Sequence, residues 1–156
     1  MMRILLISVL LYVVNTFVYA EKLTDAPYVT KSFLIVKSTK SYKEATAFAQ
    51  TLADKSSIRL NLRGLQPHKQ EGLSESKKSC LSQGFTYPCY IARGRWDDGI
   101  YISVEHSDYY EGFRHGYYLV MLASMEHIDK ALLDRVRRMV PDAYVKRSMV
   151  FMGCMH

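Results

Sequence analysis

Residues 33–52 read FLIVKSTKSYKEATAFAQTL, and their pattern decides the fold. Phe33-Leu34-Ile35-Val36 is a short apolar run of the kind a buried strand needs. Ser41 then opens a capping box, with Ser41 as the cap and Glu44 reaching back to it. Tyr42, Ala45, Phe48, Ala49 and Leu52 fall on one helical face, which makes them core residues. This helix is expected to end near Ser56-Ser57. Residues 118–136 repeat the design, with an apolar strand from Tyr118 to Ala123, a turn, and a helix from Glu126. In that helix Ile128, Leu132, Val136 and Val140 stack at a spacing of four, and Pro141 stops it. Ala143 to Arg147 forms a closing strand that Met149 to Met152 prolongs.

Between the two halves, Ile58 to Leu62 alternates like a second strand and stops at Gly64. Gln66 to Gly84 is polar and reads as an insertion or long loop. Tyr87 to Arg93 reads as a strand, and Trp96-Asp97-Asp98-Gly99 carries the Asp-Gly signal of a hairpin turn. Ile100, Ile102 and Val104 then alternate with Tyr101, Ser103 and Glu105 in a half-buried strand. With the apolar set facing the helices, Tyr101, Ser103 and Glu105 face outward. The fold class is α+β, a ferredoxin-like βαββαβ antiparallel sheet with two helices on one face. A disulfide-tied insertion and hairpin occupy about residues 64–99, and the other sheet face is expected to be open.

The N-terminus has the three parts of a signal peptide. Arg3 is the positive region, Ile4 to Val14 is an unbroken apolar run, and Val18-Tyr19-Ala20 presents small residues to a peptidase. The run is short of the roughly 20 residues that span a bilayer, so residues 1–20 are expected to be cleaved, with no stable membrane span afterwards. Removing 20 of 156 residues leaves 136, enough for one domain over residues 21–156. The leader holds Arg3 and no acid, so the net charge falls only from +6 to +5. That charge is scattered apart from Arg135-Arg137-Arg138, whereas a nucleic-acid binder concentrates it on one face. Export places Cys80, Cys89 and Cys154 in an oxidising compartment, periplasmic or extracellular, where they should pair. Cys80–Cys89 would staple a ten-residue segment. A bond from either one to Cys154 would close a longer loop and hold down the apolar tail, and a bond involving Cys154 is the expectation.

Several stretches resemble sporulation-related repeat (SPOR) domains. The segment Ser107-Asp108-Tyr109-Tyr110-Glu111-Gly112-Phe113-Arg114-His115-Gly116-Tyr117-Tyr118-Leu119-Val120 is similar to their Tyr/Gly turn and the strand it feeds. Pro141 to Arg147 resembles their closing strand, and Phe33 to Val36 followed by Tyr42 to Ala45 resembles their opening strand and helix. The resemblance covers both ends of the mature chain and omits residues 64–99. It implies a βαββαβ bacterial envelope module that binds glycan strands of peptidoglycan through the open sheet face.

Chemistry-bearing residues point to binding and not to an enzyme. A Cys80 or Cys89 nucleophile with His106 or His115 competes with disulfide formation. The acids Asp97, Asp98, Glu105, Asp108 and Glu111 are a conceivable glycosidase set, but Asp97-Asp98 belongs to the turn. His68, His106, His115, His127 and His156 lack ligand spacing, and no metal or cofactor is implied. The aromatic and basic set is the candidate ligand surface: Tyr101, Ser103 and Glu105 on the strand, Arg93, Arg95 and Trp96 beside it, Tyr109 and Arg114 in the turn. Flat rings next to hydrogen-bonding side chains suit a sugar. The same residues suit a secreted or envelope protein partner, because Tyr, Trp and Arg are common interface anchors. The expected function is peptidoglycan binding, the alternative a protein-interaction or inhibitor module.

Overall fold

The structure is a computed structural model and describes residues 28–153. The expected signal peptide and Cys154 lie outside the described residues. Strand β1 (Tyr28–Thr39) leads into helix α1 (Tyr42–Ser56). Ser41 caps α1 by accepting the Glu44 amide at 3.2 Å. The second half of the predicted capping box is replaced: the Glu44 carboxylate takes the Thr39 hydroxyl at 2.6 Å and Lys37 at 2.9 Å. Thr39 Oγ1 in turn accepts the Ser41 amide. Ser57 adopts φ 56° and ends the helix by donating its N–H to Ala53.

The predicted second strand at Ile58–Leu62 is reduced to one bridge, Leu60 beside Ile102. Arg63 (φ 59°) and Gly64 (φ 68°) are consecutive left-handed residues that swing the chain away. Next come a hairpin of β2 (Gln66–His68) and β3 (Gly72–Ser74), then the short helix α2 (Lys77–Ser82). Cys80 at the buried side of α2 is bonded to Cys89. This corrects the expectation of a bond to Cys154. The two cysteines meet because the chain closes on itself at Ser74: its hydroxyl both accepts the Cys89 amide and donates to the Cys89 carbonyl, each at 3.1 Å.

Tyr87–Arg93 is an irregular crossing and not a strand, and no hairpin forms at Asp97-Asp98-Gly99. The Asp97 carboxylate is recruited elsewhere, by the Gly94 amide at 3.1 Å and the Tyr101 hydroxyl at 2.9 Å. Gly99 starts β4 (Gly99–His106), followed by β5 (Tyr118–Met125), helix α3 (Lys130–Arg137) and β6 (Tyr144–Phe151). Helix α3 begins at its cap, Asp129, which accepts the Leu132 amide at 2.7 Å, later than the predicted Glu126. Residues 149–151 do extend the closing strand.

The four long strands form one antiparallel sheet in the order β4-β5-β1-β6. Leu34, Val36, Ile102, Val104, Val120 and Leu122 face Ala45, Ala49 and Leu52 of α1 and Ile128 and Val136 around α3. On the other face Phe33, Ile35, Leu119, Met121 and Val150 pack beneath Tyr110 and Phe113. Both sheet faces are therefore buried, and Phe33 meets Tyr110 edge-on at 4.9 Å. Among the described residues no helix is long and apolar enough to cross a membrane.

Candidate functional site: an aromatic cleft beside a covered sheet face

The strand parity predicted for β4 holds from Ile102 onward, while Ile100 lies before a register shift and is half exposed, and the outward face is not open. Tyr101 is 4% exposed, and Ser103 and Glu105 are fully buried. The irregular segment around Tyr90–Arg93 lies across them. Arg93 is itself fully buried, with its guanidinium 3.6 Å from the centre of the Tyr101 ring. It donates to Ser103 Oγ and the Met121 carbonyl at 3.0 Å and to the Gly99 carbonyl at 2.9 Å. Burial lowers its pKa. Arg63 reaches under the same segment and donates to Glu105 Oε2 and the Ile91 carbonyl, both at 2.7 Å. Its Nε lies 2.9 Å from Asp97.

Glu105 also accepts the hydroxyl of Tyr90 and, at 3.4 Å, that of Tyr110. Burial, then the Glu105 charge, pushes both phenols well above their ordinary pKa, so they remain donors. Burial opposes the charge of Arg63, but Glu105 and Asp97 outweigh it and raise its pKa. A buried cation can persist only with such partners, and the outward residues of β4 supply them. Arg93, Tyr101, Ser103 and Glu105 therefore hold the fold together, which corrects their assignment as ligand contacts.

What stays accessible on this side is a cleft of about 530 Å³ at one end of the sheet. One wall is the Ser107–Tyr117 loop, closed at its base by the Ser107 amide on the Tyr117 carbonyl at 2.8 Å and the Tyr117 amide on Ser107 Oγ at 2.9 Å. It presents Tyr109, whose hydroxyl bonds Glu71 and whose ring lies 4.2 Å from Tyr90. The other wall is the open end of the β1–β6 pair, where register places Tyr28 opposite Phe151 and their rings 5.2 Å apart. Arg95 sits 4.2 Å from the Trp96 ring and 5.2 Å from that of Phe151. It occupies space that a side chain at Gly153 would fill, since a Cβ there would fall 2.3 Å from the guanidinium.

Polar groups line the same cleft at Asp108, Glu111 and His115. Asp108 Oδ1 accepts the Gly116 amide at 2.7 Å and faces His115 Nδ1 at 3.2 Å. Partial burial works against its charge, but the Gly116 amide and the two neighbouring imidazoles hold its pKa below the ordinary value.

Of the predicted contacts, Tyr109 and Arg95 line the cleft and Trp96, 65% exposed, stacks on Arg95 at its rim. Arg114 is exposed and lines a different hollow. Tyr28 and Phe151 are not recognisable in the sequence, because only the β1–β6 register brings the outer ends of these two strands together. The one available signal was an aromatic at the outer end of each terminal strand. Among the described residues no three His, Cys, Asp or Glu side chains converge as a metal site requires. No family model matches the chain, and no curated protein or solved structure matches it either.

Proposed function

We propose that this chain is an exported envelope module that binds peptidoglycan glycan strands, and that its binding site is the aromatic cleft. The observation carrying the proposal is that Tyr28, Tyr109 and Phe151 line one groove together with Asp108, Glu111 and His115. A sugar ring offers apolar C–H faces and a polar rim, and such a groove is complementary to both. The ferredoxin-like βαββαβ reading, and with it the SPOR-like one, is supported by the element sequence β1-α1-β4-β5-α3-β6 and the sheet order β4-β5-β1-β6. Here β2, β3 and α2 count as the insertion. The leader-like residues 1–20 and the Cys80–Cys89 bond favour export to the periplasm or beyond.

The covered β4 face rules out the sheet surface as the platform on that half, so binding shifts to the cleft. The second reading, a protein-interaction module, rests on Arg95 stacked with exposed Trp96 and Phe151, a typical anchor set.

The test is retention of the purified mature domain on peptidoglycan sacculi. Wild type should be retained, Tyr109→Ala and Phe151→Ala should each reduce retention several-fold, and Trp96→Ala should leave it unchanged. No retention of wild type, or equal retention of all four, sinks the glycan reading.

A further inference from the structure

A second hollow, of about 260 Å³, lies across the Gly112–Arg114 turn from the cleft. Its apolar surface comes mainly from the ring of Tyr117, with Phe113 and Leu119 buried beneath. Its hydroxyls are Ser38 Oγ and Tyr144 Oη, 3.3 Å apart. Its charged groups are both positive, Arg114 and Lys146, and no carboxylate lines it. Lys146 donates to the Gly112 carbonyl and stands 4.5 Å over Phe113, with its remaining N–H groups unspent. Arg114 lies 5.5 Å from the Tyr117 ring, and Lys40 approaches the same ring at 5.6 Å.

Among the described residues Lys31, Lys37, Arg63 and Lys130 each form an ion pair. Arg114 and Lys146 are among the cations that form none, and both line this hollow. Cations on aromatic faces and free of acids are available to an incoming anion.

We propose that this hollow is a subsite for an acidic sugar: one pyranose ring against the half-buried Tyr117 ring, with its carboxylate between Arg114 and Lys146. The Tyr117 ring favours a ring-borne carboxylate over a free oxyanion, which has no C–H face to lay against it. The paired hydroxyls of Ser38 and Tyr144 are placed to exchange their mutual hydrogen bond for bonds to ring hydroxyls. The subsite is separate from the aromatic cleft and holds whether that cleft takes a glycan or a protein.

The test is a titration of the isotope-labelled mature domain, followed by amide chemical shifts, with methyl glucuronide, methyl glucoside, acetate and inorganic phosphate. The glucuronide should give saturable shifts at Gly112, Phe113, Arg114 and Tyr117. The neutral glucoside should bind at least about tenfold more weakly, the range a charge-assisted hydrogen bond supplies, and the two free anions, lacking the ring contact, should also bind more weakly. Arg114→Gln and Lys146→Met should each abolish the preference for the glucuronide over the glucoside. Arg114 is exposed, so its variant keeps the fold and decides the matter even if Lys146→Met does not fold. Equal binding of glucuronide and glucoside, phosphate or acetate as tight as the glucuronide, shifts confined to the cleft, or a preference surviving Arg114→Gln would each overturn the proposal. Sacculus retention failing while the glucuronide still binds would overturn the cleft reading alone.

Discussion

Glu105→Gln is expected to destabilise the domain by about 3 kcal/mol, the lower end of what stranding one member of a buried ion pair costs. The Glu105 side chain is fully buried and that of Arg63 is 13% exposed, so water can rescue neither well. The low end applies because Arg63 keeps Asp97 at 2.9 Å and the Ile91 carbonyl at 2.7 Å. Glutamine also still accepts from Tyr90 and Tyr110. Against a typical domain stability of about 5–15 kcal/mol this is a large fraction, and it corresponds to a fall in Tm of about 10 °C for a chain of this size. Arg63→Met should be worse, about 5 kcal/mol, because it leaves a buried carboxylate facing hydroxyls alone. The double variant Arg63→Met/Glu105→Gln strands no charge and should be less destabilised than Arg63→Met by itself. Urea unfolding at pH 7 with the disulfide intact, followed by circular dichroism and Trp96 fluorescence, reads all three. Hydrogen exchange at residues 89–95 should quicken in both single variants, since Arg63 also pins the Ile91 carbonyl. A cost below about 1 kcal/mol for Glu105→Gln, or a double variant whose cost is the sum of its parts within about 0.5 kcal/mol, would refute the reasoning.

Three further outcomes are expected. Cys80→Ser/Cys89→Ser should lose about 2.7 kcal/mol in the chain-entropy model for a ten-residue loop, read as a lower urea midpoint; an unchanged midpoint would show that the unfolded chain is already constrained there. Gly72→Ala should cost at least about 1–2 kcal/mol, because Gly72 has φ 71° and an added Cβ would lie 2.4 Å from the His106 ring; a wild-type Tm would contradict this. Burial holds the His106 pKa below 6.5 against the pull of Asp108, so the unfolded chain takes up its proton first as pH falls. Stability present above about pH 6.5 is therefore lost below it, and His106→Phe should shrink the change in urea midpoint between pH 7 and pH 5; an equal change in both proteins would exclude His106 as the source.

The parts of the fold legible in the sequence are those set by local chemistry. The apolar run at Phe33–Val36, the Ser41 cap and the Ala45/Ala49/Leu52 stripe each report an energy that depends on residues within a turn or two. The covering segment is different. Tyr87–Arg93 has strand-like alternation, but Arg93 is held by partners as far away as Met121, and the Arg63–Glu105 pair spans 42 positions. The Asp-Gly hairpin signal at Asp98-Gly99 lost to tertiary demands on Asp97, which Gly94, Tyr101 and Arg63 all engage. In the candidate site, Tyr109 and Arg95 were recognisable from composition around a turn. Tyr28 and Phe151 were not, since they lie 123 positions apart in sequence and become neighbours through strand register alone.

The self-closure at Ser74 and Cys89 has a practical consequence for protein engineering. The Glu75 amide adds a third tie at 3.0 Å to the Cys89 carbonyl, so the excursion over residues 76–88 leaves and re-enters the domain at one point. Loops whose ends coincide and whose tips are exposed accept foreign sequence. An epitope tag or reporter peptide replacing residues 81–88, with Cys80 and Cys89 retained, should leave Tyr90 and the cleft in place. This would turn the domain into a labelled probe whose handle does not depend on either terminus.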